Sequence, residues 1–255
     1  MLIMMRCLVG LIYGFLALAP AIVVYYSFSP TIILEVPPSG LTLRWYENLL
    51  HQERLLTGIG ASAVIATLAT ALALAIGVPA AYALTRSRRS VLATFFLSPL
   101  ILPGIVLALG MLMAMSVTVP SLIGTVWPLI GAHVLVTVPW VIRTVSANLE
   151  ITDPHLEDAA RGLGATTLET FFLVTLPTIR AGIVTGAIFA FIVSFGNFAL
   201  SLFFASGRVT TLPVAIFEYI DQFQDPTVAA ASSLVIFATT FLVVAATRAR
   251  KVEIP

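Results

Sequence analysis

Charge is scarce in this chain. Asp, Glu, Lys and Arg together make up 10% of its 255 residues, whereas soluble domains carry roughly 25%. Apolar residues make up 59%, and mean hydropathy is +1.05. A soluble fold cannot hide that much apolar surface, which makes the chain an integral membrane protein. Cysteine is nearly missing as well. The single Cys7 excludes an internal disulfide and a cysteine metal cluster. No Gly-x-x-x-x-Gly-Lys-Ser/Thr stretch occurs, so the chain carries no phosphate-cradling loop of its own. The apolar runs also lack acid: all 12 Asp and Glu residues fall in loops or tails. That counts against the alternative of an ion-gradient-driven secondary transporter, a class that places carboxylates or unwound ion sites at membrane depth. An intramembrane hydrolase would need a buried nucleophile constellation, which His133 and scattered serines do not make.

What the chain does have is apolar length. Crossing a hydrocarbon core of roughly 30 Å takes about 20 helical residues. Six stretches qualify, at approximately 7–28, 58–84, 91–117, 124–147, 181–204 and 227–247. Runs such as Ala71-Leu-Ala-Leu-Ala-Ile76 lack the apolar/polar alternation of a barrel strand. The expectation is therefore an all-α membrane protein with six transmembrane helices in one transmembrane domain, 1–255. The first run is longer than a secretory h-region and lacks a small-x-small cleavage site, so it reads as a retained span. Pro79, Pro99, Pro103, Pro120, Pro128 and Pro139 mark kinks or span edges.

Basic residues orient the spans. With the N-terminus cytoplasmic, inside segments hold Arg6, Arg86, Arg88, Arg89, Arg143, Arg161, Arg180, Arg248, Arg250 and Lys251. Outside segments hold Arg44, Arg54 and Arg208. Ten against three predicts both termini inside. Two longer outside segments, 31–56 and 205–226, carry Trp45, Tyr46 and Tyr219, which suit either interfacial anchors or a docking surface. Asp221 and Asp225 suit solvated loop charges or contacts to an external protein.

The same count places a polar insert, 150–180, on the cytoplasmic side. Asp153-Pro154 is a helix start, and Leu156 to Leu163 gives about two turns. Gly164 suits a C-cap. Thr166 or Thr167 caps a second helix with Glu169 in its first turn, Phe171, Phe172 and Val174 supply an apolar face, and Pro177 ends or kinks it. Such a helix–turn–helix also fits an ordinary amphipathic interfacial loop.

The insert resembles the Glu-Ala-Ala signature of binding-protein-dependent ABC importer permeases: Glu-Ala-Ala, three residues, Gly, nine residues, Ile-x-Leu-Pro. Asp158-Ala159-Ala160 stands at the triplet, Gly164 at the glycine, and Val174-x-Leu176-Pro177 completes the spacing. Asp158 replaces Glu, and Val174 replaces Ile. Glu157 sits one position early, able to share the role. Leu41 to Leu50 and Thr211-Leu-Pro-Val-Ala-Ile216 resemble the spermidine/putrescine-type second permease, so the likeness covers the whole chain.

The resemblance implies a six-span fold like that of the methionine permeases, in the inner (plasma) membrane of a bacterial cell. It also implies a second permease subunit, in the resembled subfamily usually a different chain; two ATP-binding cassette subunits carrying ATP and Mg; and an extracytoplasmic solute-binding protein. No nucleic acid is implied, and no cofactor or metal is held by this chain. Glu157, Asp158, Ala159, Ala160, Gly164, Leu176 and Pro177 would couple to the ATPase. Ser194, Gly196 and Asn197, polar or small residues at membrane depth, are candidates for the substrate pathway or for interhelical packing. Polyamine-type permeases often carry a carboxylate near that point, and its absence leaves the cargo open among polyamines or related amines, an aminophosphonate, an amino-acid-like compound or a metal chelate. His133 reads as a packed, hydrogen-bonded residue, and Arg143 as a snorkelling one.

Overall fold

A computed structural model describes residues 2–33, 35–37, 39–87, 90–205 and 209–252. Arg88, Arg89 and Arg208 of the charge count lie outside the described residues, as do the side chains of Arg250 and Lys251. Thirteen α-helices are described: α1 (Leu2–Ser27), α2 (Arg44–Leu50), α3 (Glu53–Ser87), α4 (Ser90–Leu97), α5 (Gly104–Thr118), α6 (Trp127–Glu150), α7 (His155–Gly162), α8 (Thr167–Thr170), α9 (Leu176–Thr178), α10 (Arg180–Phe195), α11 (Phe198–Phe204), α12 (Leu212–Gln222) and α13 (Thr227–Val252).

Four of these, α1, α3, α6 and α13, are long and apolar enough to cross a bilayer unbroken. The other two expected spans are not continuous. The third, at 91–117, is α4 and α5 with a 103° bend between them. Pro99 opens a 3-10 turn there, and Pro103 holds an extended backbone (ψ 130°). Neither proline can donate to the preceding turn, so the helix stops and restarts. The fifth, at 181–204, is broken between α10 and α11. Asn197 leaves the helical region (ψ 102°), and its Oδ1 accepts from the Leu200 N–H at 3.0 Å, capping the second piece. The fourth span starts later than expected, at Trp127, because Gly124 sits in a turn at φ +85°.

The core is a three-helix seam of α3, α6 and α10. In lipid no hydrophobic force draws helices together, so close approach over small residues does the work. Along α3 the buried positions include Ser62, Ala66, Ala69, Ala73, Gly77 and Ala81; along α10 they are Gly182, Gly186, Ala190 and Ser194. A methyl group on Gly186 would stand 2.6 Å from Thr144 Oγ1, and one on Gly182 2.7 Å from Asn148 Cβ. A side chain at either position would force α6 or its side chains to shift.

At the end of α3 away from the insert, α2, α12 and α13 close the bundle. Trp45 is buried and donates from Nε1 to the Ser29 carbonyl at 2.7 Å. The Tyr46 hydroxyl meets Ser27 and Ser233 at 2.8 Å each. Asn48 donates to Thr227 Oγ1 at 2.8 Å, and Tyr219 donates to Asp225, whose Oδ1 also accepts from the Thr227 N–H at 2.9 Å. All three aromatics thus turn inward as fasteners between elements. Asp225 caps α13 rather than standing in solvent, while Asp221 is exposed.

Candidate functional site

The insert projects from the ends of α6 and α10. Asp153 Oδ1 accepts from the His155 N–H at 3.0 Å, satisfying one of the open donors at the start of α7. The far end of α7 closes with paired bonds: Ala165 N–H to the Ala160 carbonyl at 3.1 Å, and Gly164 N–H to the Arg161 carbonyl at 2.9 Å. This is the Schellman arrangement, and it needs a left-handed residue, which Gly164 supplies at φ +95°. Thr166 then caps α8 in a reciprocal box with Glu169, at 2.7 Å and 3.3 Å. Those bonds from Thr166 hold the Glu169 carboxyl below the usual carboxylate range. Between α8 and α9 the chain widens into a π-helical turn, Phe171–Thr175. Only Leu176 separates it from Pro177, whose ring would clash with the carbonyl four residues back in an α-turn. A 70° bend at Ile179 leads into α10.

Two adjacent acids face opposite ways. Asp158 is exposed (side chain 68%) and makes only long contacts, 3.9 Å to His155 and 4.0 Å to Arg161. Glu157 is 5% exposed. Its Oε1 accepts from Arg86 Nη2 at 2.6 Å and Thr175 Oγ1 at 3.0 Å; its Oε2 accepts from the Tyr82 hydroxyl at 3.1 Å and Arg161 Nη2 at 3.3 Å. Burial alone would raise its pKa, but the bonds from Arg86 and Thr175 and the Arg86 charge outweigh it and hold the carboxyl below its ordinary value. The expected sharing of an outward role with Asp158 therefore does not match where the Glu157 side chain points. Sequence reasoning had not found Arg86, Tyr82 and Thr175 as its partners. The only local signal was the Glu157–Arg161 spacing of four.

The outward face of the insert is small and apolar around Asp158. Ala159, Gly162 and Gly164 are exposed, Ala160 is half-buried, and Leu163, at the turn, is 91% exposed. Leu176 packs partly into the core seam and Pro177 is exposed. The predicted apolar face splits. Phe171 turns in, its ring edge-on to Tyr82 at 5.2 Å, while Phe172 stays half exposed.

The second candidate group is not brought together with the insert, nor into one place. Ser194 is buried and bonded to His133 Nδ1 at 2.8 Å, and His133 Nε2 meets Ser201 Oγ at 3.3 Å. One histidine thus staples both halves of the broken fifth span. Gly196 is exposed and lines an open apolar cavity of about 480 Å³ with Phe195, Phe198, Phe217 and Ile236. Asn197 serves as the helix cap described above. Among the described residues, no three His, Cys, Asp or Glu side chains converge as metal ligands would.

Apolar spans, one bent and one broken, and a helical insert capped at its turns define a multi-pass, all-helical membrane protein. The chain belongs to the family of binding-protein-dependent transport system inner membrane components, which it matches over residues 54–252. It is similar to the putrescine transport system permease protein PotI of Escherichia coli K12, with 31% identity over 90% of this chain and 85% of that one. It is also similar to the putative 2-aminoethylphosphonate transport system permease protein PhnV of Salmonella paratyphi A, at 31% over 72% and 71%. Its fold resembles a chain of the inward-facing MetNI methionine ABC transporter, with a TM-score of 0.63 and 20% identity over 79% of this chain and 96% of that one.

Proposed function

We propose that this permease forms half of the translocation pathway of an ATP-driven importer and couples to an ATPase subunit through the outward face of α7. The observation that carries the reading is the insert itself. It is fastened at both helix ends, yet it presents Asp158, Ala159, Gly162 and Leu163 to the outside. Small residues let a partner backbone approach, Asp158 offers a charge, and Leu163 offers an apolar knob. ATP and its magnesium ion would sit on the partner, as would hydrolysis. A second permease subunit completes the pathway, and an extracytoplasmic protein delivers the solute. The insert and both termini then face the cytoplasm of a bacterial cell. Membership of the transport family disfavours the ion-gradient alternative.

Putrescine and 2-aminoethylphosphonate, named for the two relatives, share a primary amine, which supports a small amine-bearing cargo here. The aromatic-lined cavity at the Gly196 break suits a cation lying against ring faces. The test is purification of the complex by a tag on this chain. An ATPase subunit should accompany the unsubstituted protein and be lost with Ala159→Arg. Equal recovery of ATPase, or equal transport, with that variant would overturn the coupling reading.

A further inference from the structure

Covalently, the insert is joined only to α6, through 151–154, and to α10, through Ile179. α3 lies far away in sequence, yet its end is tied to the insert by Arg86 and Tyr82, both bonded to Glu157. The carboxylate gathers donors from three separate elements: α3, α7 itself, and the π-turn that carries Thr175. Both of its oxygens are engaged, so it has little capacity left for an outside partner. Arg86 is further held over the Tyr82 ring at 5.7 Å.

α3 is suited to pass displacement on. It is a single helix of 35 residues, roughly 52 Å long. Near its other end Ser62 Oγ accepts from the Leu212 N–H at 2.9 Å, and Gly58 sits against the backbone of Leu212 at the start of α12. α12 in turn carries Tyr219 of the opposite polar cluster. This one continuous helix, which keeps Pro79 inside it, therefore has one end on the insert and the other on the closing helices. We infer that Glu157 is a positioning residue that latches α7 to α3, so that movement of the insert reaches α12 through α3 and not only through the chain into α10. The inference rests on the coupling reading above.

The test uses the complex purified through this chain, in a Cys7→Ser background, with Gln222→Cys as a reporter at an exposed position of α12 outside the cavity at the Gly196 break. The rate of maleimide labelling at that cysteine is compared with and without ATP and vanadate. With Glu157 intact, nucleotide should change the rate by about fivefold or more, the lower range of allosteric couplings. With Glu157→Gln, ATPase recovery and basal hydrolysis should persist while the labelling response falls below about twofold. Arg86→Gln should reproduce this, and the double variant should be no worse than either single one, as expected of two residues acting through one contact. A full response in Glu157→Gln overturns the latch while leaving the coupling reading intact. Loss of the ATPase from Glu157→Gln also overturns it, since Glu157 would then serve only to shape the docking face. If no ATPase accompanies the unsubstituted chain, the coupling reading fails first and takes the latch with it.

Discussion

At the insert end one carboxylate, Glu157, draws four donors from three elements. At the other end of α3, Tyr46, Asn48, Tyr219, Asp225 and Thr227 share their bonds pairwise among hydroxyls, an amide and a single acid. The first cluster depends on one residue and on charge. The second is spread over several residues, each of which contributes a neutral or singly charged bond. A cluster hung on one acid can release as a unit, whereas a distributed one loosens by steps. The insert end is built in the way a moving part would be, and the far end in the way a closure would be.

The contrast can be broken experimentally. The largest effect is expected from Gly164→Asp. A left-handed residue with a side chain costs about 1–2 kcal/mol and would turn the docking face, so membrane insertion should be normal and transport abolished. Transport at the unsubstituted rate would remove the turn from the coupling path. Next, Glu157→Ala strips four bonds at once from partly buried partners, and charged hydrogen bonds are worth about 1.5–3 kcal/mol each to remove. Because a third of Arg86 is open to solvent, a loss of about 2–3 kcal/mol in total is expected, read as a lower Tm in detergent. Tyr219→Phe, at the distributed end, should cost about 1 kcal/mol. If it costs as much as Glu157→Ala, the distinction between the two ends collapses.

The smallest effects are in pH, and they have opposite signs. The folded pKa of Glu157 lies below its unfolded value, about 4.3, so its contribution is complete above that value and is lost as acid carries the pH through the folded pKa. The Tyr219 hydroxyl is pushed above its ordinary 10, first by burial and then by the bond and charge of Asp225. Its contribution is complete below 10 and is lost as the pH rises through the raised value. Glu157→Gln should flatten the acid limb of a Tm profile, and Tyr219→Phe the alkaline limb. An acid limb unchanged by Glu157→Gln would show that another group governs it.

Much of this was legible in the chain. Composition and run length established the membrane class, and the turn at Gly164, the Asp153 start and the Thr166–Glu169 box follow from local rules that act within four residues. The breaks in the third and fifth spans were only half legible. Pro99 and Pro103 announced a kink but not a bend of 103°, and Asn197 drew attention as a polar residue at depth when its job is to cap a helix restart. Illegible were the long-range partners. Nothing near Arg86 says that it meets Glu157, because the contact joins residues 71 positions apart. Likewise Trp45, Tyr46 and Tyr219 suit a surface by type and were turned inward by packing.

Gly182, Gly186, Ala190 and Ser194 follow the i, i+4 row of α10, and such a row is inclined to its helix axis by about 26°. Contact with α6 nevertheless runs almost the length of α10, from Gly182 against Asn148, through Gly186 against Thr144, to the Ser194–His133 bond at 2.8 Å. A seam this close along its whole length leaves the two helices little room to slide. The insert at one end of α10 and the capped half-helix α11 at the other are thereby both referred to α6.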